Sequence, residues 1–227
     1  SLKADADEHR QAIFKNEIAG TDAFYRLSRQ HPRWRLKIPK NYTQGNGWDI
    51  REYIDSETLI DKKAEGKVAQ QRLTDLANLL AAIDKEIPPK LPAPKVDSAP
   101  YTNICARFDI WSKKPLEKGI LSAKDYKAAD TLIKRASPYL QPRFAHGDLN
   151  PMKHVFITQN LLAFIDLEHF SPYKARYYDA AYCYSRLYMR LEDKTLAGKF
   201  LVAFLNASQN APYKTEQLFA IMTQRAI

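Results

Sequence analysis

Apolar residues recur at intervals of three and four over several long stretches of the chain and alternate with polar ones over a few short stretches. Ile13, Phe14, Ile18, Phe24 and Leu27 mark a helical stripe across residues 9–27, interrupted by Gly20. Val68, Leu73, Leu76, Leu79, Leu80, Ile83 and Ile87 predict a core helix over 67–87, which Pro88-Pro89 stops. Tyr126, Ala129, Leu132 and Ile133 predict another, capped by Ser122 and ended by Pro138. Leu196, Phe200, Leu201, Phe204 and Leu205 give a helix over 195–206, a further one starts at Thr215, and 101–111 reads as helical or irregular. Strand-like alternation occupies 35–38 and 48–54, on either side of the hairpin signal Asn46-Gly47. A second hairpin lies within 144–168, where two apolar runs meet at Thr158-Gln-Asn160. The pattern is thus one of long helices with a minority of short strands.

Composition leaves this picture standing. The 227 residues suit one large domain or two lobes, and 45% hydrophobic with 11% aromatic residues is ample for a core. No run approaches the roughly 18 apolar residues of a membrane span, and residues 1–10 lack the apolar centre of a signal peptide, so the expected location is cytoplasmic. Cys105 and Cys183 lie far apart among apolar neighbours and read as buried thiols. A formal charge of +9 raises nucleic-acid binding, but Arg33-Trp-Arg-Leu-Lys37 is the one basic aromatic stretch and alternates as a solvated strand does. Neither a nucleic acid nor a membrane is expected as partner. The excess charge favours anionic ligands such as ATP over polycations. Residues 87–94, rich in proline, form a stiff connector.

The candidate chemistry sits in the second hairpin, which presents Asp148 and Asp166 to one place. A turn Asp and a capping Asp would leave the same spacing. The alternative is a site that handles a proton or a metal ion, and the residues around the two carboxylates favour it. His146-Gly-Asp-Leu-Asn-Pro151 resembles the catalytic loop of the aminoglycoside phosphotransferase and choline kinase group, small-molecule kinases related to protein kinases that include macrolide phosphotransferases. Ile165-Asp-Leu-Glu168 resembles the metal-binding strand of that family. The resemblance implies a two-lobed, protein-kinase-like α+β fold with ATP and Mg2+ as cofactors. It also implies phosphoryl transfer to a small-molecule hydroxyl, with Asp148 as base and Asp166 as magnesium ligand. His146 would orient the loop, and Asn150 would stand near the transferred phosphate. Asp179, in Tyr177-Tyr-Asp-Ala-Ala181, would brace the loop backbone as a buried acceptor.

The resemblance extends to the first part of the chain. Residues 1–54 would be an incomplete nucleotide-binding lobe and 55–227 a mainly helical catalytic lobe. Glu17 would be the helix glutamate that pairs with a nucleotide-binding lysine, here Lys3. Glu52, Tyr53 and Ile54 would form the hinge whose backbone meets the adenine edge. The family's second metal-binding asparagine falls at Lys153, and an ammonium group cannot ligate magnesium. Either His154, through a one-residue insertion, or Asn150 would replace it. No glycine-rich phosphate loop precedes Lys3, and both ends look cut, so the chain reads as a piece of a longer protein that is inactive in isolation. A kinase-like binding or regulatory domain without catalysis is the alternative to an enzyme. Few acids gather beside the loop, Glu192-Asp193 being the adjacent pair, so a neutral or anionic acceptor is expected in preference to a polycation.

Overall fold

The computed structural model describes residues 2–45, 48–60, 66–86, 100–190, 194–208, 210 and 213–226; side chains of residues 2–10, 66, 100–103 and 190 are not described. The Asn46-Gly47 turn, the 87–94 connector and Glu192-Asp193 lie outside the described residues. The expected α+β class holds, with seven α-helices and eight short strands among the described residues and a mainly helical second half.

Helix α1 runs from Leu2 to Gln30 without a break at Gly20. A Cβ there would come within 2.6 Å of the Phe170 Cβ, so the glycine lets the helix lie against the segment that follows the second hairpin. One turn before it, the Asn16 side chain donates to the Glu168 carbonyl at 2.5 Å. One turn after it, Phe24 is 1% exposed and meets the rings of Phe144, Phe164 and Phe170 with centroids 4.7–6.3 Å away. Asn16, Gly20 and Phe24 are spaced at i, i+4 and i+8, one face of a helix.

The expected pairing of 35–38 with 48–54 does not form. Strand β1 (Leu36–Lys37) lies parallel to β7 (Leu161–Phe164), and Pro39, which has no N–H to give, separates it from β2 (Asn41–Gly45). β2 pairs antiparallel with β3 (Trp48–Arg51). Two more strands complete the sheet, β4 (Glu57–Thr58) and β6 (Val155–Thr158), in the order β1-β7-β6-β4. The β6–β7 hairpin is the predicted one. Gln159 and Asn160 turn it with φ of 46° and 65°, the left-handed pair a two-residue hairpin loop requires.

Of the remaining helices, α2 (Gly66–Glu86) packs on α6 (Lys194–Ala207), and α5 (Tyr178–Arg190) packs on α6 and on α7 (Lys214–Arg225). Residues 101–111 belong to α3 (Pro100–Glu117). α4 (Ala123–Ala136) starts at Ser122, whose hydroxyl accepts the Asp125 N–H at 3.0 Å. A strand pair that periodicity did not signal, β5 (Pro142–Ala145) with β8 (Ser171–Ala175), leads into and out of the hairpin region.

α2 is tied to the β8–α5 corner by a nearly buried ion pair. The Arg176 guanidinium donates to both Asp84 oxygens, at 2.9 Å through Nε and 2.7 Å through Nη2, with side-chain exposures of 9% and 10%. Arg143 lies 4.0 Å from the same carboxylate. Asp84→Ala leaves two buried guanidinium groups beside each other without an acid, and we expect it to lower unfolding free energy by about 3–5 kcal/mol. A urea titration checks this, and a loss below about 1 kcal/mol would mean that water replaces the carboxylate.

Candidate active site

The loop of residues 146–154 carries the site between β5 and β6. His146 is fully buried, its Nε2–H donates to the Ile165 carbonyl at 2.9 Å, and its Nδ1 accepts the Asp148 N–H at 3.4 Å. Both bonds call for one neutral tautomer. Burial lowers the pKa of His146 to about 4, so the ring orients the loop and carries no charge at neutral pH. Gly147 has φ of 88°, and a Cβ there would sit 2.1 Å from the His169 carbonyl oxygen, which restricts the position to glycine. Asp179, in the first turn of α5, accepts the His146 N–H at 2.8 Å and the Gly147 N–H at 2.9 Å. Desolvation raises its pKa to about 6, against the opposing pull of those two N–H groups and of Lys174.

Two sequence candidates, Asn150 and His154, compete for the place beside Asp166 that Lys153 cannot fill, and the loop separates them. Asn150 is buried, and its Oδ1 accepts the Met152 N–H at 3.0 Å, a turn-forming bond. The Lys153 side chain is exposed. His154 lies between the two carboxylates. Its Nδ1–H donates to the Asp148 carbonyl at 2.5 Å, its Nε2 is 3.2 Å from Asp166 Oδ2, and its Nδ1 is 3.8 Å from Asp148 Oδ2. In the neutral ring this tautomer turns the Nε2 lone pair toward a carboxylate oxygen, so two acceptors face each other across 3.2 Å. Such a pair needs a proton or a cation between its members. Asp166 itself adopts φ of 62°, a left-handed turn that brings its carboxylate out to 38% exposure.

Helix α5 applies one face to this loop. Asp179 holds the N–H groups of residues 146 and 147, the Tyr182 hydroxyl donates to Asp148 Oδ1, and the Cys183 thiol donates to the Leu149 carbonyl at 2.9 Å. Arg186 then donates to the Tyr182 oxygen through Nε at 2.8 Å and Nη2 at 2.6 Å. Neither Tyr182 nor Arg186 stands out from the sequence motif itself. The signal was present: 179, 182, 183 and 186 follow an i, i+3, i+4, i+7 pattern, so a helix that braces the loop through Asp179 must also present the other three to it.

A cavity of about 490 Å³ opens beside Asp166, and Glu52, Tyr53, Ile54, Glu17 and Arg51 also line it. The three hinge candidates and the metal candidate therefore border one space. The Glu52 carboxylate takes Lys37 Nζ at 2.7 Å, which lowers its pKa, and the Glu52 N–H donates to the Lys40 carbonyl at 2.8 Å. The expected pairing of Lys3 with Glu17 does not form. Both residues lie on α1, fourteen positions apart, or about 21 Å along one helix. Glu17 meets Arg51 instead, and the Lys3 side chain lies outside the described residues. Among the described residues, no group of three or more His, Cys, Asp or Glu side chains gathers as a metal site. None of their helices is long and apolar enough to cross a membrane.

The family model of the phosphotransferase enzyme family matches residues 9–216. Among solved structures, the choline kinase from Cryptosporidium parvum Iowa II is similar at 17% identity and a TM-score of 0.49, over 92% of this chain and 68% of that one. No curated protein matches the sequence.

The neutral, buried His146 makes a pH-dependent contribution to stability. Its folded pKa is depressed, so below about pH 6.5 the unfolded chain binds a proton that the folded chain refuses until about pH 4. Stability from this group is complete above that window and is lost as pH falls through it. We expect His146→Asn to cost up to about 3 kcal/mol more at pH 7 than at pH 4. Urea unfolding at the two pH values tests this, and an equal cost at both would mean that the ring is protonated where it lies.

Proposed function

The chain belongs to the phosphotransferase enzyme family, with the kinase-like α+β class read from its sequence, and from that premise we propose that it transfers the γ-phosphoryl group of ATP to a hydroxyl of a small molecule. The observation that carries this reading is the line of groups Asp148, His154 and Asp166, of which Asp166 stands on the wall of the cavity that residues 52–54 also line.

In this reading Asp148 accepts the proton of the acceptor hydroxyl. Its Oδ1 is held by Tyr182, and Oδ2, part of a side chain that is 24% exposed, stays open to the acceptor. The adenine edge takes backbone groups of residues 52–54, and the phosphates lie toward Asp166. Asp166 and His154 Nε2 would hold the divalent cation, which when bound offsets the charge of the phosphate oxygens. The donor set fits such an ion, since the Asp166 carboxylate oxygen and the His154 Nε2 converge to 3.2 Å and both can act as ligands. With an imidazole nitrogen in the set, the site favours manganese over magnesium, which prefers oxygen ligands. Asn150, with its amide oxygen in the turn, shapes the loop beside the reacting groups.

Asp148→Asn in the full-length protein is expected to lower kcat by at least about 10²-fold, while nucleotide affinity stays within a few-fold, because the base acts on the acceptor and not on ATP. A variant that turns over at the wild-type rate removes Asp148 from the role of base. Asp166→Ala is expected to abolish the increase in nucleotide affinity that magnesium brings. Isothermal titration with and without the metal reads this directly, and an unchanged magnesium effect would place the cation elsewhere.

A further inference from the structure

Beside Asp148, around the Tyr182 ring whose hydroxyl it accepts, several cations lie over aromatic rings. The Arg186 guanidinium sits 4.8 Å from the Tyr182 ring centre while bonding its hydroxyl. Arg225, from the end of α7, lies 4.3 Å from the same ring centre and 5.3 Å from that of Trp111. Lys174, on β8, stands 5.1 Å over Tyr178, whose ring lies 6.3 Å from that of Tyr182. Arg107, on α3, contributes a fourth positive charge that Lys174 and Tyr178 both feel.

We propose that the acceptor carries an anionic group, a phosphate or a carboxylate, and that Arg186, Arg225, Lys174 and Arg107 receive it while its hydroxyl meets Asp148. The assignment rests on the phosphotransferase reading above and names the substrate class of that same site.

Among the described residues, no carboxylate forms an ion pair with any of these four cations. The acids beside them are Asp148, bonded to Tyr182, and Asp179, bonded to two backbone N–H groups. Aromatic faces hold the side chains in place without neutralising them. A cluster of this kind attracts an anion with little reorganisation, because its charges are already gathered and oriented. Burial, together with the charges of Arg107 and Arg225, brings the Lys174 pKa down to about 8, against the pull of Asp179. A bound anion relieves that strain between like charges. An ammonium-bearing acceptor meets the opposite situation, since each of its charges would approach this cluster without a free carboxylate to meet it.

The test uses the full-length protein and small hydroxyl compounds that differ in charge: glycerol 3-phosphate, glycerate, glycerol, choline and kanamycin. Binding is read by titration calorimetry, and transfer by ADP release with ATP and magnesium. We expect the two anions to bind at least about tenfold more tightly than glycerol, with an affinity that falls as salt rises. The relative strength of glycerol 3-phosphate and glycerate tells phosphate from carboxylate. Arg225→Gln and Lys174→Gln are each expected to weaken anion binding about tenfold, and to raise KM for the anion more than they lower kcat. Glycerol binding as well as the anions, or choline or kanamycin binding better, overturns the proposal, as does anion affinity that neither variant reduces. Anion binding without transfer to any compound counts against the kinase reading and leaves the anion site standing. Transfer to choline or kanamycin without an anion preference does the reverse.

Discussion

One carboxylate holds the functional loop in shape. Asp179 accepts the N–H groups of two successive residues, His146 and Gly147, at 2.8 and 2.9 Å, and so fixes the backbone where the chain leaves β5. Everything downstream depends on that grip. Gly147 can then turn through φ of 88° against the His169 carbonyl, His146 can bury its ring and reach Ile165, and Asp148 points outward beside His154. The bond has a cost, because desolvation raises the pKa of Asp179 to about 6. Two N–H donors and the nearby Lys174 charge offset it in part.

The two histidines of the loop divide their work through their tautomers. His146 donates from Nε2 and accepts at Nδ1, which closes the loop on itself. His154 donates from Nδ1 to the Asp148 carbonyl, which leaves Nε2 facing Asp166. The first arrangement is satisfied within the protein, and the second is complete only with something positive between the two groups. That asymmetry separates a structural histidine from a ligand candidate eight residues away. Lys153, one position earlier, is exposed.

Helix α1 stabilises the hairpin from the other side. Asn16, Gly20 and Phe24 place a hydrogen bond, a close backbone approach and a buried ring along one face, against residues 167–170 and the Phe144–Phe164 cluster. Glu17 is one residue round the helix from Asn16. It therefore reaches the cavity wall, where Arg51 meets it. The cavity is bordered in this way by α1, the end of β3 and the β7–Asp166 turn, three pieces of chain distant in sequence.

Periodicity was sufficient wherever an element decides its own form. The helical stripes over 67–87, 122–137 and 195–206 and the Gln159-Asn160 hairpin correspond to α2, α4, α6 and the β6–β7 turn, because burial of one face and a left-handed turn pair are local requirements. The motif around Asp148 and Asp166 was legible for the same reason, since a tight loop and its neighbouring strand leave few residue types admissible. What neighbours supply was not legible. Gly20 read as a break because a single stretch does not reveal that Phe170 lies against it. The partner of β1 was misplaced because parallel pairing with β7 joins segments more than 120 residues apart. The Lys3–Glu17 pair failed because one continuous helix carries both. Tyr182 and Arg186 acquired their place at Asp148 only when α5 docked on the loop through Asp179. Sequence by itself determined the helical stripes, the hairpin turn and the loop motif. Tertiary structure decided which side chains face that loop, because contacts between distant segments depend on packing that no local pattern encodes.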